Sequence, residues 1–417
     1  MARILSFSTY PVVRPLHGGQ RRVSAFGDFY RSLGHEFHYA CVYEPASYGP
    51  GTVTSFDHPL IEPDPRWNGV PLINDLLAGD YAARSPLAYA HFRGVVDRVR
   101  PDVVQLDHPF MLPLFRRLRE EGVLGAQPLI YSSHNWEPPL KEEMLRRAGV
   151  TTAVARDVRR QVEELERESV AAAEVVVAVS AHDAEAYRRL RSNMQVVVVP
   201  NGVSRPPAEI PDIPALELFG REKLLFFVGS AYPPNIEGFC DLVADGGLFF
   251  MPPLQQMAVC GGVSDGIFNH PKYQQFLHAN SARVQFFQNP TDPELWSLKR
   301  RAHVMMLPIA FGGGSNLKTA EALVAGKWLV ATPTALRGFE AFAGAPGVVV
   351  AENRDAFRRA LAETLRLAPL ELDEAELRRR EALYWDRGFA DSGLRERLAA
   401  LLPALSAAGA VVAGEVR

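Results

Sequence analysis

Short apolar runs, rich in β-branched and aromatic residues, recur through the 417-residue sequence, and amphipathic stretches separate them. Uninterrupted apolar runs that alternate with amphipathic segments are typical of parallel strands covered on both faces by helices. The first half is therefore predicted to be α/β. It contains six such runs: ILSFS at Ile4, FHYACVY at Phe37, DVVQL at Asp102, PLIYSSH at Pro128, VVVAVS at Val175 and QVVVVP at Gln195.

The same pattern begins again after a proline-rich stretch. Five prolines lie between Pro200 and Pro214, which is typical of a linker between domains. The sequence thus predicts two Rossmann-like, doubly wound domains that face one another across a cleft, with ligands bound beyond the carboxyl ends of the strands. The second half supplies six further runs: LLFFVGS at Leu224, MAVCGG at Met257, RVQFF at Arg283, HVMMLP at His303, KWLVATPT at Lys327 and GVVVAE at Gly347.

Composition narrows the class of partner. The formal net charge of -3 gives no basic bias, so nucleic acid is not expected as a partner. The three cysteines, Cys41, Cys240 and Cys260, form no C-x-x-C pair, which argues against a disulfide framework and a thiolate metal site. This pattern favours a reducing cytoplasm.

The ends of the sequence carry no predicted export or membrane signal. MARILSFSTY is interpreted as a first buried strand rather than a signal peptide. The most apolar stretch, from Leu398 to Gly414, is broken by Pro403 and is interpreted as a packed terminal helix with a loose tail.

The stretch FGGGSNLKTAEALVAGKWLVATPT, from Phe311 to Thr334, places three glycines before a helix that is predicted to end at Gly326. Glycines allow a ligand to approach the backbone, and the first turn of a helix attracts an anion. Lys318 is expected to meet phosphate charge, and Glu321, one turn further on, to accept hydrogen bonds from ribose hydroxyls. The alternative is a packing turn with a surface ion pair between Lys318 and Glu321. A P-loop is disfavoured because Leu317, not glycine, precedes Lys318.

These residues carry a resemblance to a known family. The segment LPIAFGGGSNLKTAEALVAGKWLVATPTALRGFE resembles the donor-binding segment of GT-B glycosyltransferases of the group 1, family 4-like, retaining type, in the subset with the GGG[ST]xxKxxEA motif. FVGSAYPPNIEGF, AVCGGVSD, VSAHDAEAYRR with VVVVPNGV, and HGGQRRVSAFGDFYRSLGHEFHYACVYEP resemble other segments of the same enzymes in the same order. The resemblance extends over most of the chain.

The resemblance implies the domain plan and the donor site. It implies an acceptor-binding domain over 1–203, a linker over 204–220, a donor domain over 221–385, and a C-terminal helix over 386–417 that returns to the first domain. The donor would be a nucleotide sugar such as a UDP- or GDP-sugar, and no other cofactor is implied. Lys318 and Glu321 are implied in catalysis as well as in donor binding, and the other implied donor-binding residues are Gly18, Gly19, Gly229, Ser230, Gly313, Gly314, Ser315 and Asn316.

Further residues follow from the resemblance at the ends of first-domain strands. His134, in YSSHNWEPP, is implied to be a catalytic residue that faces the donor sugar, and Trp136 could stack on a pyranose ring. Asp107 and His108, directly after a strand, are candidate acceptor-binding residues. A structural role for His134 is the alternative, since the histidine is followed by a proline-bounded loop.

The sequence departs from the better-known family pattern at two places. Many members carry two glutamates eight positions apart, and here Gly313 stands at the first of these positions. The loop SAYPPNIEG lacks the usual basic pair, so Lys318 would be the main positive charge that the donor domain offers to the diphosphate. Arg21 or Arg22 of the first domain would supplement it. No D-x-D sequence occurs, and no metal is expected.

The predicted function is sugar transfer from a nucleotide-diphosphate sugar to a hydroxyl of a saccharide, lipid-linked saccharide or natural product, with retention. Bacterial envelope polysaccharide biosynthesis is the expected setting, in the cytoplasm or peripherally at the inner face of the membrane. A sugar-nucleotide phosphorylase, synthase or epimerase-like enzyme is an alternative within the fold. A catalytically silent nucleotide- or saccharide-binding partner of another transferase is the alternative from another class.

Overall fold

The structure is a computed structural model that describes residues 1–15, 17–61, 64–220, 222–252, 254–311 and 317–402. The chain forms two compact units. Unit 1 comprises residues 1–200 together with the segment that begins at Gly388, and unit 2 comprises residues 201–387.

Unit 1 is built on a seven-stranded sheet in which every pair is parallel, in the order β3-β2-β1-β4-β5-β6-β7. The six strands predicted from the apolar runs are confirmed. The seventh, β3, has two residues at the sheet edge, where it pairs with Val42 and Tyr43. The strands are β1 (Arg3–Ser8), β2 (Glu36–Tyr43), β3 (His58–Pro59), β4 (Val103–Leu106), β5 (Leu129–Ser132), β6 (Val175–Ala178) and β7 (Val196–Val198).

Helices connect these strands, as a parallel sheet requires. Several begin at side-chain caps: Ser85, Thr151 and Ser180 each accept a backbone N–H of the first turn. The helices are α1 (Gly18–Ser32), α2 (Asn74–Arg84), α3 (Pro86–Val99), α4 (Leu112–Glu120), α5 (Glu137–Arg147), α6 (Thr152–Ala172) and α7 (Ala181–Leu190).

The core of unit 1 lies between the sheet and its helices. Strand side chains such as Phe7 and Leu106 pack against Phe92 of α3 and Phe115 of α4. Each fully buried side chain of this size stabilises the fold by about 1.5–3 kcal/mol. The C-terminal segment adds Phe389, whose ring stacks on Phe29 of α1 at 4.4 Å.

Unit 2 contains a six-stranded parallel sheet in the order β10-β9-β8-β11-β12-β13. All six strands predicted from the second set of apolar runs are confirmed. They are β8 (Leu224–Val228), β9 (Gln256–Cys260), β10 (Val284–Phe287), β11 (Ala302–Leu307), β12 (Trp328–Ala331) and β13 (Val348–Val350).

The helices of unit 2 include the one predicted after the glycine-rich stretch, which ends before Gly326 at positive φ (63°). After α16, which spans the boundary between the units, residues 394–402 are again helical. The helices are α8 (Pro233–Phe239), α9 (Val263–Phe268), α10 (Pro271–Gln274), α11 (Leu277–Ser281), α12 (Asp292–Arg301), α13 (Leu317–Val324), α14 (Arg354–Thr364), α15 (Glu374–Glu381) and α16 (Trp385–Asp391).

Each sheet has a point where the strand order reverses. In unit 1 the first strand, β1, lies beside β4, and in unit 2 the first strand, β8, lies beside β11. Loops that leave two such neighbouring strands diverge to opposite faces of the sheet and leave a crevice at its carboxyl edge. These two crevices are the places where ligands are expected.

Candidate functional site

The loop after β8 carries Gly229 and Ser230 and is fixed by its own backbone. The Gly229 N–H donates to the carbonyl of Cys260 at 2.9 Å, and its carbonyl accepts from Val263 at 3.1 Å. A Cβ atom on Gly229 would lie 3.3 Å from the Cβ of Val263 and 3.4 Å from that of Asn235. The absence of a side chain therefore allows α8 and α9 to pack closely around this loop.

Asn235, in the first turns of α8, is buried and joins the loop to the helix. Its Nδ2 donates to the carbonyl of Ser230 at 3.0 Å. Farther along α8, a Cβ on Gly238 would lie 1.7 Å from the carbonyl oxygen of Pro308, just after β11. The P-N-x-x-G sequence thus places α8 directly against the chain that leaves β11, on the other side of the crevice.

Helix α13 begins at Leu317 and buries Leu317, Ala320 and Leu323 against the sheet. Its partly buried Lys318 donates from Nζ to Oδ1 of Asn235 at 3.1 Å. Burial lowers the pKa of Lys318 to about 8, while the nearby Glu321 carboxylate opposes that shift. This hydrogen bond places Lys318 beside the loop after β8, at the crevice of unit 2.

Glu321 is held by a residue that was not predicted. Its Oε2 accepts from Nζ of Lys299, on α12, at 2.7 Å. The ammonium of Lys299 also lies 5.0 Å from the ring centroid of Trp296. Lys299 is one of three successive basic residues at the end of α12, so no sequence pattern distinguishes it as the partner of Glu321.

Asn235 is not among the predicted site residues, although its place in the P-N-x-x-G sequence was a signal that could have identified it. The predicted donor-binding residues Gly313, Gly314, Ser315 and Asn316 lie outside the described residues.

In unit 1 the predicted glycines Gly18 and Gly19 form the first turn of α1. His17 caps this helix in a reciprocal arrangement with Gln20. A Cβ on Gly19 would lie 2.4 Å from the Tyr10 hydroxyl and 3.3 Å from Nδ1 of His134. The helix start therefore packs against the loops after β1 and β5.

The Tyr10 hydroxyl joins two of the predicted residues. It lies 3.2 Å from Nε2 of His108 and 3.2 Å from Nδ1 of His134, and the two imidazole rings are 4.3 Å apart. Sequence reasoning missed Tyr10, although it follows β1 at the carboxyl edge. The structure thus brings together residues after β1, β4 and β5 at the crevice of unit 1.

Burial keeps both imidazoles neutral. It lowers the pKa of His108 to about 4, and it lowers the pKa of His134 well below the usual value, with further lowering from His108. Nε2 of His134 has no hydrogen-bond partner within the described part of the chain. A buried polar atom of this kind is uncommon, and it is available to a ligand hydroxyl.

The predicted acceptor-binding residues Asp107 and Trp136 are both shielded from solvent, Asp107 completely and Trp136 in part. Asp107 is fully buried, and its two oxygens accept hydrogen bonds from Ser6 and from Gln105. Burial raises its pKa to about 7. Trp136 is half-buried and packs edge-on against Tyr187, with ring centroids 5.6 Å apart.

The two candidate supplementary arginines differ in burial. Arg22 is buried in unit 1, where it donates to the carbonyl of Val199 at 2.9 Å and lies over the ring of Phe26. Its burial lowers the pKa of the guanidinium to about 10. Arg21 is only partly buried.

The described ranges of the chain contain neither a metal-binding cluster nor a membrane-spanning helix. Within them, no group of three or more histidine, cysteine, aspartate or glutamate residues is arranged to hold a metal ion. Among the helices of these ranges, none combines the length and the apolar character needed to cross a membrane.

The fold is similar to solved glycosyltransferase structures. Sucrose-phosphate synthase from Thermosynechococcus elongatus superposes with a TM-score of 0.66 at 16% identity, covering 96% of this chain and 100% of that one. The lipopolysaccharide outer core galactosyltransferase WaaB superposes with a TM-score of 0.58 at 12% identity, covering 94% of this chain and 99% of that one. Anabaena HepE, solved in complex with UDP, superposes with a TM-score of 0.56 at 13% identity, covering 99% of this chain and 100% of that one.

Sequence comparison points to the same class of enzyme. No curated protein matches the chain. Residues 16–205 match the family described as Glycosyltransferase Family 4. This match and the two Rossmann-like units of the GT-B type together indicate a glycosyltransferase of the GT-B fold.

Proposed function

We propose that the enzyme transfers a sugar from a nucleotide-diphosphate sugar to a hydroxyl of a saccharide, glycolipid or natural-product acceptor. The observation that carries this proposal is the position of Lys318, bound to Asn235 and adjacent to Glu321, at the crevice of unit 2. A cation and an acid at the carboxyl edge of a doubly wound sheet suit a diphosphate and a ribose.

Each candidate site residue of unit 2 has a role in this proposal. Lys318 exchanges the amide oxygen of Asn235 for a phosphate oxygen and balances the charge of the departing nucleoside diphosphate. Glu321, whose carboxylate is fixed by Lys299, accepts hydrogen bonds from the ribose hydroxyls. The loop after β8 and the glycine-rich segment supply further contacts to the diphosphate and the sugar, as the resemblance implies. The residues proposed to make these contacts are Gly229, Ser230, Gly313, Gly314, Ser315 and Asn316.

The chemistry that these groups perform is stabilisation of the leaving group. When the glycosidic bond to the diphosphate breaks, negative charge grows on the phosphate oxygens, and fixed donors lower the energy of that state. Removal of one such donor typically costs about 10²–10³ in rate. The resemblance supports retention of the anomeric configuration.

Unit 1 supplies the sugar-facing residues of the proposal. Neutral His134 uses Nε2, which has no partner among the described residues, to hydrogen-bond a sugar hydroxyl. Gly18 and Gly19, at the start of α1, approach the donor phosphate and the transferred sugar, as the resemblance implies. The proposed acceptor-binding residues are Asp107, His108 and Trp136. The similarity to a lipopolysaccharide galactosyltransferase supports a role in envelope polysaccharide biosynthesis, on a saccharide or lipid-linked acceptor. The proposed location is the cytoplasm, including the inner face of the membrane.

A thermal-shift panel of UDP, GDP, ADP, dTDP and CMP, with and without magnesium, tests the donor site. A nucleotide at about 100 times its Kd adds roughly 2.7 kcal/mol of stability. One diphosphate should stabilise the native enzyme, and Glu321→Ala should abolish the shift while remaining folded. Glu374→Ala removes an acid whose side chain is 86% exposed on α15 and serves as the matched control, which should keep the full shift.

Incubation with the corresponding nucleotide sugar then measures release of the nucleoside diphosphate. The rate should fall in Glu321→Ala and hold in Glu374→Ala. A folded native enzyme that responds to none of the five nucleotides would contradict the proposal.

A further inference from the structure

A pocket that adjoins the cluster of Tyr10, His108 and His134 lies entirely within unit 1. A pocket of about 230 Å³ is lined by residues that follow β1, β2 and β4 and by the start of α2. Pockets for drug-sized ligands enclose about 300–1,000 Å³, so this pocket suits a smaller ligand, such as one sugar ring. It lies at the same carboxyl edge as His134.

Tyrosines form much of the pocket wall. Tyr10, Tyr43 and Tyr48 line it. The hydroxyl of Tyr48 lies 3.3 Å from Nε2 of His17, and that of Tyr10 is held by His108 and His134. Burial raises the pKa of both Tyr10 and Tyr48, so their hydroxyls stay protonated and neutral. Aromatic faces with fixed hydroxyls are suited to the apolar faces and hydroxyl groups of a sugar.

Glu44 is the first charged group of the lining. Its Oε1 accepts from Nδ2 of Asn74 at 2.8 Å, and its Oε2 accepts from the hydroxyl of Ser47 at 2.9 Å. The carboxylate is thereby held in one orientation. Because a carboxylate oxygen accepts more than one hydrogen bond, Glu44 can still accept from a ligand hydroxyl.

Asp75 is the second charged group of the lining. It is paired with Lys141, whose Nζ lies 2.7 Å away and whose side chain is only 4% exposed. The side chain of Asp75 remains 36% exposed. The cation therefore lies behind the carboxylate, away from solvent. Among the described residues that line the pocket, none is lysine or arginine.

The histidines near the pocket add no positive charge at neutral pH. Burial lowers the pKa of His17 and of His108 to about 4. His108 lines the pocket, is only 8% exposed, and has no hydrogen-bond partner at Nδ1 among the described residues, although Glu137 lies 3.9 Å from that atom. The pocket thus combines two carboxylates, neutral hydroxyls and a buried polar atom.

We propose that this pocket binds the sugar that accepts the transferred group, and that Glu44 and Asp75 select a neutral or amino sugar against a phosphorylated one. The assignment of the ligand as acceptor rests on the proposed function, while the charge preference follows from the pocket alone. The negative charges of these carboxylates and of a phosphate group repel, whereas carboxylates accept strong hydrogen bonds from sugar hydroxyls.

Binding of simple sugars without nucleotide tests this proposal. Saturation-transfer NMR and calorimetry would compare the methyl glycosides of glucose, galactose, mannose and N-acetylglucosamine with their 6-phosphates. At least one neutral glycoside should bind the full-length enzyme, and its 6-phosphate should bind about tenfold or more weakly. Glu44→Gln should weaken binding of the neutral glycoside by about tenfold. It should also reduce the difference in affinity between that glycoside and its 6-phosphate. Asp75→Asn provides a second variant, and Glu185→Gln, on the exposed face of α7, is the matched control.

The outcomes separate this inference from the proposed function. The inference is overturned if no neutral glycoside binds, if the 6-phosphates bind as tightly, or if Glu44→Gln and Asp75→Asn both bind like Glu185→Gln. Nucleotide stabilisation through Glu321 is a separate measurement on the full-length enzyme. Nucleotide binding without glycoside binding would overturn only the pocket assignment, and glycoside binding without nucleotide binding would overturn only the donor site.

Discussion

The ammonium group of Lys299 lies 2.7 Å from a carboxylate oxygen of Glu321, and the two side chains are only 8% and 16% exposed. This ion pair joins α12 to α13 and fixes the carboxylate that is proposed to hold the ribose. In a poorly solvated environment, removal of one partner leaves the other charge uncompensated. The pair therefore has consequences for stability as well as for nucleotide binding.

Lys299→Met should destabilise the protein by about 2–4 kcal/mol, because the Glu321 carboxylate would remain partly buried without its cation. The double variant Lys299→Met with Glu321→Gln should lose less than the sum of the two single losses. Urea unfolding of the wild type, both single variants and the double variant gives the coupling energy. Strictly additive losses would show that the pair contributes nothing.

The affinity for the nucleoside diphosphate should depend on pH through Lys318. Burial lowers the pKa of this lysine to about 8, and only its protonated form attracts phosphate. Affinity should therefore fall as the pH rises through 8, approaching a tenfold loss per unit above it.

Calorimetry between pH 7 and 9.5 measures this dependence, with Lys318→Arg as the reference because arginine stays charged over this range. Titration of the nucleotide itself affects both proteins equally. If the two proteins show the same pH profile, Lys318 is not the titrating group.

Gly19→Ala should disturb the junction between α1 and the histidine cluster. The added Cβ would lie 2.4 Å from the Tyr10 hydroxyl, so Tyr10 must move and its hydrogen bonds to His108 and His134 must weaken. The expected destabilisation is about 1–3 kcal/mol. The free energy of unfolding in urea measures it.

Gly94→Ala is the matched control for that substitution. Gly94 is exposed within α3, and a Cβ there would meet no atom within 4 Å. Replacement of an unobstructed helical glycine should stabilise the protein by about 0.5–1 kcal/mol. Equal effects of the two substitutions would contradict the close packing at Gly19.

Asp107 should make stability depend on pH. Burial raises its pKa in the folded protein to about 7, above its ordinary value of 3.8, so the folded state binds the proton more tightly than the unfolded chain. The resulting stabilisation is complete below about pH 4 and is lost as the pH rises through 7.

Asp107→Asn tests this dependence because the amide cannot ionise and can still bond to both Ser6 and Gln105. Relative to the wild type, the variant should gain up to about 4 kcal/mol of unfolding free energy between pH 4 and 8. Urea denaturation at several pH values checks it. A constant difference across this range would show that Asp107 does not titrate near 7.

The sequence by itself determined the secondary structure and the class of fold. Twelve of the thirteen strands in the described part of the chain followed from uninterrupted apolar runs, because strands buried on both faces need such runs and the signal is local. The strand that was missed, β3, has only two residues and a proline, too short a segment to show any periodicity. The motif after β8 and the glycine-rich segment after β11 also indicated the crevice of unit 2.

Only the tertiary structure decided which side chains meet. Tyr10 bonds to His134 across 124 positions, Asn235 to Lys318 across 83, and Lys299 to Glu321 across 22. No local pattern encodes these pairs, because they form between segments that the order of strands in each sheet brings to one edge. The sequence identified Lys318, Glu321 and His134 as candidates, and packing supplied Asn235, Lys299 and Tyr10 as the partners that position them.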